Sequence, residues 1–369
     1  MYIKEIRLKN FRCYKEAHLK LSDKTNIIYG LNAAGKTNIL EAAFLFCTGR
    51  SHRKATALEM IKEGESLGEI ELEFESYNRN FSGSLKIFED KKKLLKINEA
   101  EIKKLSEISN YINIVMFAPE DLSIIKGFPS ERRRFVDMAI SQVKPVYLKL
   151  LNDYIKTVGQ RNCLLKEIYK TSKGEEMLDI WDESIAALAA RIAIYRHEFI
   201  EDLKKYLYSI YNQISSENLK MKYLCCFYDD FSKNCDFETI KESLIKKLEA
   251  SRKRDIENGA TQTGIHKDDF LFFIDKKEVR RFASQGQQRS LILSLKLAQA
   301  ELINDIRGDY PVILLDDIAS ELDEKRRAYL KGKIEDKQVI ITCTDKESNI
   351  TESSNVKYFL VSNRNVCEE

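Results

Sequence analysis

Hydrophobic and polar positions alternate with period two in several short stretches of this chain. Ile6 and Leu8 share one parity with Lys4 and Asn10, and His18-Leu19-Lys20-Leu21 alternates more cleanly, so residues 3–11 and 18–21 predict two pairing strands. Alternating runs at 68–74, 82–88 and 93–97 predict an antiparallel meander with one solvated face. Apolar runs at 26–29, 112–117, 312–315 and 339–342 read as buried strands, and 356–361 adds one more. From Glu131 to about Asn212 the period becomes helical. Met177, Trp181, Ile185, Leu188, Ile192, Tyr195, Phe199 and Leu203 recur every three or four residues, one stripe on a helix ~50 Å long at a rise of ~1.5 Å per residue. Residues 146–168 offer a partner stripe, so a short antiparallel helical arm is expected and an extended coiled coil is not. A mixed segment, 220–230, reads as strand, 238–257 as helix, 270–274 as strand and 291–303 as an apolar helix. The expected organisation is a head formed by 1–128 and 258–369, interrupted by a helical lobe at 129–257.

Two helix starts carry chemistry. The run Gly30-Leu31-Asn32-Ala33-Ala34-Gly35-Lys36-Thr37 lies between an apolar strand and a helix that begins at Asn38. Strand, glycine-bounded loop, Lys-Thr and helix is the context of a phosphate-binding loop. Backbone N–H groups and the helix dipole favour an anion there, and Gly30 and Gly35 permit dihedrals and close approaches that a Cβ would block. Lys36 would reach the β- and γ-phosphates, and the Thr37 hydroxyl would hold Mg²⁺. The second start is Ser284-Gln285-Gly286-Gln287-Gln288-Arg289. Ser and Gln three apart form a capping box, which merely starts a helix; an exposed Ser and Gly at that position also make a second anion-binding surface. Both readings stay open.

The strand at 312–315 ends in Asp316 and Asp317. Ligands collect at the carboxyl ends of parallel strands, where one carboxylate can hold Mg²⁺ and a second can orient a hydrolytic water. Basic residues cluster at Gly49–Lys54, at Arg132, Arg133 and Arg134, and at Lys246, Lys247, Arg252, Lys253 and Arg254. The last groups are candidates for phosphate contacts, although Glu242, Glu249 and Asp255 lace the same helix, as on any solvated face.

Composition narrows the class. The 369 residues are 43% hydrophobic and 32% charged, as expected for a charge-rich globular protein of the cytoplasm. No apolar run is long enough to span a bilayer. The eight cysteines form no C-x-x-C pair, which favours reduced, packed thiols over a metal or disulfide site. Net charge is only +3, so a nucleic-acid surface has to come from local segregation of the 61 basic residues.

Together, these motifs resemble the ABC-type ATPase heads of the SMC/Rad50 group and, in detail, the bacterial RecF family across essentially the whole chain. The residues that carry the resemblance are Leu8–Arg12, Gly30–Asn38, Ser51-His52-Arg53, Pro119–Leu122, Glu131–Asp137, His266–Asp269, Ser284–Arg289 and Leu314–Asp323. The resemblance implies an α/β fold, an ABC-type P-loop head of mixed sheets with an inserted helical second lobe. It implies two chains associating head-to-tail on ATP, each nucleotide held between Gly30–Asn38 of one and Ser284, Gln285, Gly286 and Gln287 of the other. Asp316 would serve Mg²⁺, Asp317 the attacking water, and Arg12 the nucleotide phosphates. It also implies DNA binding (single-stranded, gapped or double-stranded), slow ATP hydrolysis, and action with RecO and RecR in placing RecA, in support of repair, replication and the SOS response at the nucleoid. Three features depart from the wider group: Asp317 replaces a Glu, Thr344 lies near the position of the transporter switch His, and no Gln stands near Pro119-Glu120-Asp121. Ala33 also replaces a common Gly. Competing readings are another SMC/Rad50-like or defence-system ATPase, a transporter ATPase subunit, and a scaffold that holds ATP without hydrolysing it.

Overall fold

The structure is a computed structural model and describes residues 1–229, 231, 236–318, 322–346 and 356–369. The chain forms two compact units. One comprises Met1–Asp121, Ile210–Ser216 and Arg289–Glu369; the other comprises Leu122–Ser209 and Glu217–Gln288.

The first unit contains two six-stranded sheets. In one, strands Tyr2–Phe11 and Tyr14–Lys20 pair antiparallel, and the meander of Leu67–Ser76, Arg79–Phe88, Leu94–Ile97 and Ala100–Ile102 continues the sheet. The weak alternation of the first strand has a local cause. A register shift between Ile3 and Glu5 changes its parity, so that Ile3, Ile6 and Leu8 are all buried.

The other sheet runs in the order Asn365–Glu368, Val356–Ser362, Thr25–Tyr29, Val339–Cys343, Val312–Asp316, Ile114–Phe117. All but the first of these strands are parallel. Val312–Asp316 and Val339–Cys343 are buried along their whole length, which is why they read as continuous apolar runs. The helix Lys36–Thr48 packs against strands of both sheets, and Ile39, Leu40, Ala42, Ala43, Leu45 and Phe46 are fully buried. It is therefore apolar around most of its circumference rather than along one stripe.

The second unit is mainly helical: Pro129–Val143, Pro145–Thr171, most of Leu178–Ile214, and Phe237–Asn258. The sequence places 258–288 with the head, yet these residues cluster in this unit. Strand Asp269–Ile274 pairs antiparallel with Leu219–Leu224 and with Lys277–Glu278, and those hydrogen bonds tie it there. The expected strand at 220–230 ends at Leu224, and Asp230 lies outside the described residues.

The long helix also differs in its buried face. Met177 is half exposed, and the buried line runs through Asp182, Ile185, Ala189, Ile192, Arg196, Ile200 and Leu203. Ile185, Ile192, Phe199 and Leu203 of the expected stripe are buried and Trp181, Leu188 and Tyr195 only partly so, while two charged residues, Asp182 and Arg196, occupy core positions beside them. Arg196 Nη1 donates to Asp268 Oδ2 and to the Ile265 carbonyl, both at 2.8 Å, while its Nε and Nη2 bond the two oxygens of Asp137 at 3.0 and 3.1 Å. Asp268 also accepts from Tyr223 Oη at 2.6 Å and from the Cys226 N–H at 3.0 Å.

Candidate nucleotide site

Strand Thr25–Tyr29 ends at the Gly30–Gly35 loop, and helix Lys36–Thr48 starts directly after it. Gly30, Ala33 and Gly35 all have positive φ, of 147°, 63° and 115°. Each glycine has a specific reason. A Cβ on Gly30 would lie 2.3 Å from the Val361 carbonyl oxygen, and one on Gly35 would lie 2.7 Å from Cys13 Sγ and 2.8 Å from Tyr14 Oη. Ala33 adopts the left-handed conformation despite its Cβ. Gly35→Ala is therefore expected to cost about 1–3 kcal/mol in stability and to weaken nucleotide binding. Thermal unfolding and a nucleotide titration on the same sample check both effects.

Lys36 crosses the mouth of this loop. Its Nζ donates to the carbonyls of Gly30 at 2.6 Å and Leu31 at 2.9 Å, with the side chain 7% exposed. Leu31, Asn32 and Ala33 are exposed. Thr37 Oγ1 donates to Asp316 Oδ1 at 2.8 Å, and Thr342 Oγ1 donates to the same oxygen at 2.7 Å. The parallel pairing of Asp316 with Thr342 sets this geometry. Burial raises the Asp316 pKa and the Glu120 charge adds to the rise, against the two hydroxyl donors and the Arg53 charge. A hydroxyl and a buried carboxylate converging on one point are hard oxygen ligands. They fit Mg²⁺, which takes few protein ligands and completes its shell with water and phosphate oxygens. Among the described residues no cluster of three His, Cys, Asp or Glu makes an all-protein metal cage.

Asp317 follows with φ 52°, its backbone N–H donating to Thr342 Oγ1 at 3.0 Å. Ala319, Ser320 and Glu321, which belong to the acidic string after this strand, lie outside the described residues. Asn38 Nδ2 contacts Cys13 Sγ at 3.3 Å, behind the loop.

Arg12 has a defined partner. Its Nε and Nη2 grip Glu41 at 2.9 and 2.8 Å, and Nη1 donates to the Glu59 carbonyl at 2.7 Å. Glu41 is fully buried and also accepts from Ser51 Oγ at 2.5 Å. Burial alone would raise its pKa, but these donors outweigh it and hold the carboxyl below its usual value. Sequence reading passed over Glu41. The available signal was a lone acid, one turn after Thr37, in the otherwise apolar run 39–46.

Arg53 and Glu120 were also not assigned. Glu120 lies 4.0 Å from Arg53, and both charges act on Asp316. The turn that carries Glu120 is pinned by its neighbour: Asp121 accepts from the Ala118 N–H at 2.8 Å and pairs with Lys296 at 2.6 Å. Near Glu120, His52 is pushed down to about 4 by burial, so it is neutral at physiological pH.

The second helix start is a complete capping box. Gln287 N–H donates to Ser284 Oγ at 3.2 Å, and Ser284 N–H donates to Gln287 Oε1 at 2.7 Å. Gln287 Nε2 also donates to Glu217 at 2.5 Å. Ser284 and Gln285 remain exposed, with Gly286 and Gln287 partly so.

The basic candidates for DNA contact divide. Arg132 is 2% exposed, its Nε and Nη2 gripping Asp269 at 2.7 and 2.9 Å, and Arg133 donates to the Asp268 carbonyl at 2.7 Å. Arg134 is half-buried. Arg252 bonds Asp179 and Asp182 at 2.6 and 2.9 Å. Arg132 and Arg252 are thus structural cations, held by carboxylates that were not visible as neighbours in the sequence. Lys253 and Arg254 are exposed.

Comparison with known proteins agrees with this architecture. Residues 2–366 match the model of the RecF/RecN/SMC N-terminal domain. Proteins described as DNA replication and repair protein RecF from Bacillus cereus strain B4264 and Bacillus thuringiensis strain Al Hakam are 42% and 41% identical over 348 residues, which is 93% of this chain and 92% of each relative. Among solved structures, the recombination mediator RecF with ATP, of the RecFOR pathway, superposes with a TM-score of 0.94 at 35% identity over 100% of this chain and 97% of that one. An Smc head bound to a domain of ScpA shares the fold, with a TM-score of 0.57 at 15% identity over 100% and 98% of the two chains. The chain belongs to the RecF family of the RecF/RecN/SMC group.

Proposed function

We propose that this chain is an ATP-driven DNA-binding switch of recombinational repair. ATP·Mg²⁺ joins two copies on DNA, and slow hydrolysis to ADP and phosphate releases them. The observation that carries this reading is the 2.8 Å bond between Thr37 and Asp316, which brings the phosphate loop and the acidic strand end to one point. Loop N–H groups and Lys36 bind the phosphates, and the Thr37 hydroxyl and Asp316 carboxylate hold Mg²⁺, which would neutralise charge on the β- and γ-oxygens. Asp317 orients the attacking water. Its side chain is one methylene shorter than the Glu of the wider group, which sets the carboxylate back and favours a slow switch over rapid turnover.

Arg12 acts near the phosphates from the position that Glu41 fixes. Exposed cations, Lys253 and Arg254 among them, contact the DNA backbone, so binding falls steeply with salt. RecO and RecR are the proposed partners, with RecA the protein delivered, in support of replication restart and SOS induction. Relatives named for this pathway and solved with ATP support that assignment.

Light scattering with and without ATP·Mg²⁺ and gapped DNA tests the reading on wild type, Lys36→Ala and Ser284→Arg. ATP is expected to dimerise only the wild type, with DNA joining the dimer. If all three bind ATP yet stay monomeric, Ser284–Gln287 is a helix cap and nothing more.

A further inference from the structure

A net charge of +3 gives no bulk attraction for a polyanion, and Arg132 and Arg252 are tied to carboxylates, so a polyanion must be met by other cations. One group of them lies in the first unit, at the carboxyl end of the phosphate-loop helix. Gly49 ends that helix in the left-handed conformation, with φ 71°, and the Arg50 N–H donates to Thr48 Oγ1 at 3.3 Å. Lys93, from the turn between strands Arg79–Phe88 and Leu94–Ile97, reaches the same helix end, and its Nζ donates to the Gly49 carbonyl at 3.1 Å. A lysine on a terminal carbonyl is an ordinary helix cap, which accounts for Lys93. It does not account for Arg50. Arg50 is exposed, has no carboxylate partner among the described residues, and its charge acts on Lys93. Burial pushes the Lys93 pKa down and the arginine pushes it further; no carboxylate of the described residues offsets them, although Glu89 and Asp90 stand in the same turn. Two like charges, one of them half-buried, are held within each other's field with no protein carboxylate to balance them.

We infer that Arg50 and Lys93 together hold a phosphate of the DNA backbone. The forked guanidinium can donate to two phosphate oxygens, and the ammonium, with one N–H on Gly49, has two more to give. The surroundings favour a polyanion over a single small anion. Residues 50–54 and 89–93 contain six cations against two acids, Glu89 and Asp90, and Lys91 and Lys92 are exposed next to Lys93. One of the six, Arg53, pairs with Glu120 at 4.0 Å. Contacts of this kind fix the position of a nucleic acid without reading its sequence. The inference rests on the DNA binding proposed above and gives it a place in the first unit. That place is joined to the nucleotide site through the chain itself: Ser51, next to Arg50, donates to Glu41, which grips Arg12.

The test measures binding of a gapped duplex by the full chain, with a slowly hydrolysed ATP analogue and Mg²⁺, over a series of salt concentrations. The variants are Arg50→Gln, Lys93→Gln, Arg50→Lys and, as a charge-matched control, Lys24→Gln, which removes a cation paired with Asp336. Loss of one phosphate contact per chain is expected to lower affinity about tenfold near 0.1 M salt and to reduce the slope of log affinity against log salt by about 1 for each chain bound. Arg50→Gln and Lys93→Gln should each show this, Arg50→Lys should keep most of the affinity, and nucleotide affinity without DNA should match wild type in all four. Lys93 also caps a helix, so thermal unfolding is read in parallel, and Arg50→Gln decides if Lys93→Gln unfolds early. Equal losses in Lys24→Gln would reduce the effect to net charge and overturn the inference. Inorganic phosphate binding that Arg50→Gln and Lys93→Gln both lose, with DNA affinity and slope unmoved, would assign the pair to a small anion and overturn it too. A wild type that binds no DNA overturns the reading above as well; a wild type that binds DNA while both Gln variants match it in affinity and slope overturns this contact alone.

Discussion

Asp316→Asn is expected to lower ATP hydrolysis by about 10²–10⁴-fold while leaving the metal-free fold at least as stable as wild type at pH 7. The functional loss follows from the proposed role of its carboxylate as the protein's charged ligand for Mg²⁺. The stability effect follows from its surroundings. Asp316 is 4% exposed, and burial raises its folded pKa above the ordinary 3.8. Above that ordinary value the unfolded chain releases the proton first, so stability is lost as pH rises toward the folded value and stays lost beyond it. Asparagine keeps an oxygen that accepts from Thr37 and Thr342 and carries no charge to desolvate. Thermal unfolding without metal should therefore show the variant matching or exceeding wild type at pH 7, with the gap closing as pH falls toward about 4. Adding ATP·Mg²⁺ should raise the wild-type midpoint and barely move the variant. A variant that unfolds well before wild type in the absence of metal would show instead that the carboxylate is a structural anchor.

Arg196→Ala is expected to destabilise the second unit by about 3–5 kcal/mol, the largest single-site stability loss predicted for this chain. Arg196 is 1% exposed and forms ion pairs with Asp137 and Asp268. Truncation leaves Asp268, which is fully buried, without its counter-charge. Burial already raises the Asp268 pKa against the pull of Arg196, so removing the arginine raises it further. The deficit should then grow with pH above about 4 and shrink toward acid, where the carboxyl is protonated. Arg196→Lys should recover only part of the loss, because one ammonium cannot span both carboxylates as the forked guanidinium does. Urea unfolding at two pH values reads both outcomes.

The phosphate loop was legible because its parts are consecutive. A strand, two glycines with required dihedrals, Lys-Thr and a helix occupy 25–48 without a gap, and local sterics leave that string few alternatives. The buried strand Val312–Asp316 was legible for the same reason: a strand covered on both faces is apolar throughout. The alternation of the meander likewise records one wet and one dry face.

The partners of the charged residues were not legible. Nothing local to Arg12 announces that it grips Glu41, and Arg132 in its basic triplet is held by Asp269 across 137 positions. Asp182 and Arg196 break the apolar stripe of the long helix because each faces a charge contributed by another segment. Thr342 meets Asp316 only because their strands lie parallel and in register, and that same strand order brings the ends of Thr25–Tyr29, Val339–Cys343, Val312–Asp316 and Ile114–Phe117 side by side. Backbone conformation and burial periodicity are short-range properties, written in neighbouring residues and readable one element at a time. The pairing of a buried charge is a long-range property. It depends on which distant oxygen or guanidinium the sheet order and helix packing deliver, and here the fold alone decides which of the 61 basic residues are structural and which remain exposed to a ligand.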